Sequence, residues 1–124
     1  MTLPNVAITR GDIWLARFDP GEGDEIRKVR PAVVMSVPEA GRMRLHIVVP
    51  VTGWQPQFAY YFWMRHIIPN DENGLSKESA ADTFQIVSVS PNRFQRKLGV
   101  LPTEDLQEIA ASIALCVGYK PLIR

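Results

Sequence analysis

The sequence has few of the residues on which most enzymes depend for nucleophilic, acid–base or metal chemistry. Its 124 residues include one cysteine and two histidines. A single cysteine, Cys116, excludes an internal disulfide framework and cannot build a thiolate cluster around a metal. His46 lies inside an apolar run, where a packed side chain is expected, so a mechanism that pairs His46 with His66 is not expected. The sequence also contains no H-x-x-x-H or C-x-x-C spacing and no glycine-rich phosphate loop.

Strong net charge and long apolar runs are missing as well. The net charge of +1 gives no general attraction to nucleic acids, so binding to them would depend on local basic clusters. The N-terminus has no basic segment followed by an apolar stretch, and every apolar run is interrupted within a few residues. We therefore expect neither a secretory signal nor a membrane span, and a location in the cytoplasm. Two basic clusters are present: Arg27, Lys28 and Arg30, and later Arg93, Arg96 and Lys97.

The length and the 46% hydrophobic content predict one domain over residues 1–124 with a single core. Residues 1–9 lack periodicity and are expected to form an N-terminal arm. A helix is predicted over residues 102–118, because apolar residues recur there at helical spacing, Thr103 can cap its start and Gly118 can end it.

Short apolar runs bounded by turn residues predict the strands. With the single helix they indicate a mainly β protein, a small curled antiparallel barrel with the helix laid across it. The polar loop of residues 21–29 would be costly to order unless something binds it. The aromatic run of residues 58–64 is expected to line the core with one face and to pack with the other on a helix, on a second subunit or under stacked bases. Strands are predicted at residues 12–18, 30–35, 45–51, 58–64 and 81–89, and a basic segment without a predicted strand at residues 92–99.

The two central runs frame a candidate site. Residues 38–43 are of the types found in hairpin loops, so the runs 30–35 and 45–51 are expected to pair antiparallel. If the hairpin is centred on Gly41, Arg30 lies opposite Thr52 at the open end of the ladder. Directly opposed residues have Cβ atoms roughly 5 Å apart, which is close enough for a guanidinium and a hydroxyl to bind one phosphate.

Arg30, Thr52 and the nearby Glu25 are suited to phosphodiester cleavage in RNA. The ribose 2′-OH is the nucleophile, so the protein must supply a proton acceptor, charge neutralisation at the phosphate and a route for a proton to the leaving oxygen. Arg30 is always protonated and is therefore expected to stabilise charge, whereas Glu25 is the better base and Thr52 a positioning donor. Such a reaction would need no cofactor and no metal.

These residues belong to a series of short motifs that runs over nearly the whole chain. The motifs are, in order, GDIW at residues 11–14, DP at 19–20, GDE at 23–25, RPAVV at 30–34, PVT at 50–52, TFQI at 83–86 and LCVG at 115–118. Together they resemble the MazF/PemK family of toxin–antitoxin toxins. The resemblance implies an SH3-like antiparallel barrel of the CcdB/PemK type that forms a homodimer. It also implies a metal-independent, sequence-specific endoribonuclease that cleaves single-stranded mRNA to a 2′,3′-cyclic phosphate and a 5′-OH, and inhibits growth until a cognate antitoxin binds.

The family's functional positions map onto this chain with two departures. Val87 stands where many members carry an arginine after the Gln-Ile pair, and Lys28 where some carry a histidine. By the resemblance, the expected catalytic residues are Arg30, Thr52 and Glu25, and the expected RNA-binding residues are Arg27, Lys28, Gln85 and Trp54.

Two other functions remain open on the sequence. Related CcdB-like toxins share the barrel and bind DNA gyrase through a Trp-Gly pair at the end of the last helix, but this chain has Gly118 followed by Tyr119 there. The other alternative is an RNA-binding barrel without catalysis.

Overall fold

The computed structural model describes residues 7–38 and 44–120. Within these ranges the chain forms a seven-stranded sheet in which every strand pair is antiparallel, and one α-helix near the C-terminus. This confirms the predicted mainly β fold with a C-terminal helix. The elements are β1 (Asp12–Arg17), β2 (Val29–Val34), β3 (His46–Gly53), β4 (Met64–Ile67), β5 (Ser79–Asp82), β6 (Val87–Val89), β7 (Phe94–Val100) and α1 (Thr103–Cys116).

The sheet runs in the order β4-β5-β3-β2-β1-β7, with β6 beside β3. Successive residues of a strand point to opposite faces, and both faces of the central strands are buried. This explains why the central runs are rich in β-branched residues without alternating polar ones. One face packs with α1 in a cluster that includes Ile13, Val33, Val49, Val51, Leu106 and Ile109. The other face builds a cluster that includes Trp14, Ala32, Val34, Val48 and Phe94.

The predicted register of the central hairpin is confirmed. Ala32 pairs with Pro50, and Val34 pairs with Val48. Continued along the same two strands, this register places Arg30 opposite Thr52. The tip of the hairpin, residues 39–43, lies outside the described residues, as do residues 1–6 of the predicted arm.

The predicted strand 81–89 is wrong as one element, because the chain divides it into β5, a 3₁₀ turn and β6. β5 pairs with the end of β3 at Val51–Gly53, and β6 pairs with its beginning at His46–Val48. Both short strands therefore pair with β3, one along each half of its length. The 3₁₀ turn Thr83–Gln85 makes the step between them.

The predicted aromatic strand 58–64 is also wrong. Residues Pro56–Tyr60 form a 3₁₀ helix with proline in its first turn, where the fixed φ of proline suits a helical start. Several aromatic side chains of the segment pack on one another: the rings of Tyr61 and Trp63 stack 4.7 Å apart. Hydrophobic content alone, without strand periodicity, misled the prediction.

Strand β7 lies in the basic segment for which no strand was predicted. It pairs with β1, and most of its side chains are exposed, so its charged residues conceal the pattern of an edge strand. The helix α1 lies within the predicted range 102–118, but Thr103 is not its cap. Pro102 occupies the N-cap position, without a side-chain hydrogen bond.

A buried asparagine shapes the loop between β4 and β5. Asn73 Oδ1 accepts hydrogen bonds from the backbone N–H groups of Asn70 and Leu75, and its Nδ2 donates to the carbonyl of Ile68. Gly74 follows with φ +67°, and a Cβ there would lie 2.0 Å from the carbonyl oxygen of Leu98. Only glycine fits this position, so the loop is held against β7 beside the end of β3.

No α-helix in the described parts of the chain has the length and apolar character required to cross a membrane.

Candidate active site

Arg30 and Thr52 line one cleft, as the hairpin register predicts. The cleft has a volume of about 320 Å³ and lies at the end of β3. Its wall contains three cationic side chains and no carboxylate or histidine. We call it the cationic cleft and define it by its polar residues Arg30, Thr52, Ser76, Lys77, Ser79 and Arg96.

The Arg30 guanidinium is held by one of its nitrogens. Its Nε donates a hydrogen bond to the carbonyl of Arg27, at 3.0 Å. The two Nη groups of a guanidinium held in this way can still form a bidentate contact with an anion. Thr52, partly buried on β3, adds a hydroxyl from the facing strand. A guanidinium and a hydroxyl that line the same cleft make a candidate site for a phosphate group.

A second cleft, of about 540 Å³, lies at the β1–β2 loop. We call it the loop cleft. Its wall mixes apolar and polar side chains, a composition common in pockets that bind flat organic groups. Among the residues that line it are Phe18, Glu25, Ile26, Gln85, Val87 and Arg93.

One side-chain amide holds the loop on both sides of Glu25. Gln85 Oε1 accepts a hydrogen bond from the backbone N–H of Ile26, at 2.5 Å. Its Nε2 donates to the carbonyl of Asp24, at 3.3 Å, and to Asp82 Oδ2, at 3.1 Å. Both amide hydrogens of Gln85 are thereby used within the protein. The structure thus places Gln85 as a support of the loop, while its predicted contact with RNA stays a prediction.

Asp82 lies buried behind Gln85. Its side chain Oδ1 has no hydrogen-bond partner in the described structure. Burial raises the pKa of Asp82 above its usual value of 3.8, and the hydrogen bonds from Gln85 and the neighbouring backbone oppose this only in part. A buried carboxyl of this kind orients the Gln85 amide at the cost of its own solvation.

The other predicted loop residues are held by local contacts. Glu25 Oε1 accepts a hydrogen bond from the backbone N–H of Glu22, at 2.8 Å. Arg27 Nη2 donates to the carbonyl of Gly23, at 2.9 Å. Lys28 has φ +66°, a left-handed conformation that costs a non-glycine residue roughly 1–2 kcal/mol. Glu25 lines the loop cleft and not the cationic cleft, so the three predicted catalytic residues are not brought together.

Trp54 lies beside the end of β3 but lines neither cleft. Its ring stacks on His66, with centroids 3.8 Å apart. His66 Nε2 in turn lies 2.5 Å from Glu78 Oε2. One face of Trp54 is therefore occupied within the protein. The sequence reasoning missed Lys77, because an isolated lysine in a polar loop has no signal before β5 is paired with β3.

His46 plays the packed role predicted for it. Its ring meets Phe94 edge-on, with centroids 5.6 Å apart, and burial lowers its pKa below 6.5. Within residues 7–38 and 44–120, no three histidine, cysteine or acidic side chains are grouped so as to hold a metal ion.

The fold is that of a known class of protein. A family model of PemK-like, MazF-like toxins of type II toxin–antitoxin systems matches residues 9–117. The chain belongs to this family, and the family predicted from its motifs is confirmed.

Among individual proteins, the chain is similar to the endoribonuclease MazF9 of Mycobacterium tuberculosis, with 29% identity over 112 residues that cover 86% of this chain and 92% of the relative. Its fold matches the crystal structure of MazF from Deinococcus radiodurans, with a TM-score of 0.73, 23% identity and coverage of 92% and 98% of the two chains. It also matches a mycobacterial endoribonuclease solved in complex with its cognate antitoxin, with a TM-score of 0.72, 14% identity and coverage of 94% and 100%.

Proposed function

We propose that this toxin is an endoribonuclease that cleaves single-stranded RNA in the cytoplasm, with the scissile phosphate in the cationic cleft. The observation that carries the proposal is the convergence of Arg30 and Thr52, from facing strands, on a cleft with three cations and no acid. The name of the M. tuberculosis relative supports the same activity.

In this mechanism the 2′-oxygen forms a bond to phosphorus while the bond from phosphorus to the 5′-oxygen breaks. Negative charge grows on the non-bridging phosphate oxygens, and the Arg30 guanidinium stabilises it. The Thr52 hydroxyl donates a hydrogen bond that positions the phosphate. The products are a 2′,3′-cyclic phosphate and a 5′-OH, whose proton comes from water in the open cleft. Because Arg30 supplies the positive charge, the reaction needs no metal.

Glu25 takes the proton of the 2′-OH in this proposal. Glu25 lines the loop cleft and not the cationic cleft, so the loop must move to bring its carboxylate to the 2′-OH. The Glu25 side chain is held by an exposed hydrogen bond from Glu22. Breaking such a bond costs about 1 kcal/mol, which contacts with the substrate can readily offset. Arg27, Lys28 and Trp54 are proposed to bind the RNA.

Cleavage of a long transcript by purified protein in excess EDTA tests the proposal. The protein is expected to leave cyclic phosphate ends, and a 2′-deoxy nucleotide on the 5′ side of the cut is expected to block the reaction. Arg30→Ala and Thr52→Ala should each abolish cleavage while the free energy of unfolding stays within about 1–2 kcal/mol of wild type.

Arg44→Ala, an exposed arginine just before β3 at its opposite end, is the matched control and should leave cleavage intact. RNA left uncut, with gyrase-dependent breaks in DNA, would contradict the nuclease and favour a CcdB-like toxin. Retention of RNA without any cleavage would instead favour a binding barrel.

We also propose that the protein acts as a homodimer through an apolar surface at the end of α1. Phe84, Leu115 and Val117 are 65%, 57% and 77% exposed. Cys116 lies between the last two, with Sγ 3.6 Å from Thr83 Oγ1, so the end of the helix and the 3₁₀ turn form one surface. Contiguous exposed apolar surface usually marks an interface. The family resemblance supports a second copy of the chain as its occupant.

Light scattering tests the dimer. Leu115→Glu and Val117→Glu should each give a monomer, because a charge would be buried without a partner at the interface. Gln107→Glu adds the same charge to the exposed part of α1 and should leave the dimer unchanged. A wild-type protein that is monomeric at micromolar concentration would overturn the proposal.

The proposed regulator is a cognate antitoxin that binds over the two clefts and excludes RNA. The mycobacterial structure with a similar fold was solved with such a partner. An antitoxin segment that folds on binding can cover a large surface, and the β1–β2 loop forms a wall of the loop cleft. Binding of antitoxin and of a short RNA to this protein should therefore be mutually exclusive.

A further inference from the structure

A lysine that the sequence did not single out lies beside Thr52. A Cβ built on Gly53 would be 3.3 Å from Lys77 Nζ and 3.5 Å from its Cε. The Lys77 side chain therefore lies over the backbone of the residue that follows Thr52. The φ of Gly53 lies outside the left-handed region, so its backbone conformation does not require glycine. Glycine is favoured here because the Lys77 side chain leaves little room for a Cβ.

The backbone that carries Lys77 is fixed to the end of β3. Ser79 pairs with Gly53 in the sheet, and its hydroxyl donates to the carbonyl of Lys77, at 2.8 Å. The N–H of Trp54 donates to the carbonyl of Glu78, at 3.1 Å. These contacts hold the backbone of Lys77 beside the end of β3, where its side chain lines the cationic cleft.

The cations of this cleft are not neutralised by acidic neighbours. Over the described ranges the ion pairs are Arg65–Glu108, His66–Glu78 and Lys97–Asp12. Arg30, Lys77 and Arg96 belong to none of them, although they line one cleft. Like charges brought together without counter-ions destabilise the free protein, and an anionic ligand relieves that repulsion.

We propose that Lys77 is a further substrate-binding residue, which contacts an RNA phosphate in the cationic cleft and acts through its positive charge. The inference rests on the proposed nuclease function. Arg30 and Thr52 bind the scissile phosphate, and Lys77 supplies a further charge from the segment just before β5, as Arg96 does from β7. Gly53 is the residue that gives the ammonium room.

The test uses a short oligonucleotide with one cleavage site and the full-length protein. For a single-stranded ligand, each phosphate that a protein cation neutralises adds about 0.7 to the slope of log affinity against log salt. Lys77→Gln should raise KM about tenfold at low salt and reduce the salt slope of kcat/KM by about 0.7. Lys77→Arg keeps the charge and should remain within about threefold of wild type in both KM and slope.

Two further variants act as controls. Arg44→Gln removes the same charge just before the opposite end of β3 and should leave KM and the salt slope unchanged. Gly53→Ala should displace the flexible Lys77 side chain, raise KM by a few fold in the wild-type background, and have no added effect in the Lys77→Gln background.

The possible failures are distinguishable. If Lys77→Arg loses as much as Lys77→Gln, or if Lys77→Gln leaves the salt slope unchanged, Lys77 does not act as a phosphate-binding charge. If Arg30→Ala also cleaves normally, the cationic cleft is not the active site, and the proposed position of the scissile phosphate fails. Loss of activity in Arg30→Ala with an unaffected Lys77→Gln would overturn this inference alone.

Discussion

The cationic cleft and the loop cleft are built from different chemistry. The cationic cleft contains three cations and no acid; two of the cations are on β2 and β7, and the third, Lys77, lies just before β5. The loop cleft contains a carboxylate, an amide, two arginines and several apolar side chains, and one wall is an irregular loop. Positive charge without an acidic neighbour is thus placed on or beside the sheet, whereas the groups that would distinguish one base from another are partly on a segment held by a few hydrogen bonds.

The two clefts therefore differ in which part of an RNA each can recognise. A phosphate is the same at every nucleotide, so the residues that bind it need a fixed geometry and gain from rigidity. Bases differ, and their recognition in single strands depends on shape and on hydrogen bonds from adaptable segments. Substitutions in the cationic cleft should therefore affect cleavage of every RNA, and substitutions in the loop cleft should depend on its sequence.

Among substitutions that distinguish the two clefts, Arg30→Lys is expected to reduce cleavage most. The lysine keeps the charge but loses the planar fork that binds two phosphate oxygens together. We expect kcat/KM to fall by about 10³, equally for all RNA sequences, with the fold unchanged by circular dichroism. Full activity in this variant would show that a positive charge at this position suffices and that a bidentate contact with the phosphate is not needed.

Glu25→Gln should have the next largest effect, about a 10²-fold loss of kcat, which is the typical contribution of a general base. The glutamine amide has nearly the same shape as the carboxylate but cannot take up the proton of the 2′-OH. Single-turnover cleavage rates of the two proteins check this. A variant that cleaves at the wild-type rate would exclude Glu25 as the base and leave the loop cleft with recognition only.

Gln85→Leu should affect the loop cleft and spare the cationic cleft. The substitution removes the hydrogen bonds to Ile26, Asp24 and Asp82, so the loop should lose order. We expect about 1–2 kcal/mol less stability and about a tenfold loss of cleavage, with faster amide hydrogen exchange at Ile26. Unchanged exchange at Ile26 would show that other contacts hold the loop.

Asp82→Asn should have the smallest effect, a change of about 1 kcal/mol or less in the free energy of unfolding at neutral pH. Burial raises the pKa of Asp82, so the folded protein binds this proton more tightly than the unfolded chain does. The contribution of Asp82 to the free energy of unfolding of the wild type is therefore highest at low pH and falls as pH rises through the raised pKa. Asparagine does not ionise, so the free energy of unfolding of Asp82→Asn does not fall with pH for this reason.

Urea unfolding of the two proteins at pH 4 and pH 8 gives the comparison. The stability of Asp82→Asn relative to wild type should be greater at pH 8 than at pH 4. A difference of the opposite sign would mean that the ionised carboxylate is stabilised in place by its hydrogen bonds.

The central hairpin could be predicted from the sequence because its information is local. The turn residues and the two β-branched runs determine the register, and the register brings Arg30 opposite Thr52. The position of Glu25 could not be predicted in this way. It depends on Gln85, which is 59 residues from its partner Ile26 along the chain, and no short-range pattern records such a contact.

Failures of the strand predictions have a related cause. Several aromatic rings in residues 58–64 pack on one another. The hydrophobic residues there do not alternate as in a strand, so their presence does not predict one. β7 is charged and exposed because it is at the edge of the sheet, next to β1, and its outer face meets solvent. Lys77 and Gly53 become meaningful only when β5 lies against β3, and that pairing is a property of the whole sheet.

Three consecutive residues of the 3₁₀ turn between β5 and β6 face three different parts of the molecule. Thr83 touches the last turn of α1, Phe84 lies on the surface proposed for the second copy, and Gln85 holds the β1–β2 loop. Because these residues are consecutive, a displacement of one of them also moves the backbone of the next. Dilution that separates the two copies should therefore also loosen the loop, so that the toxin weakens as a catalyst under the same conditions in which it comes apart.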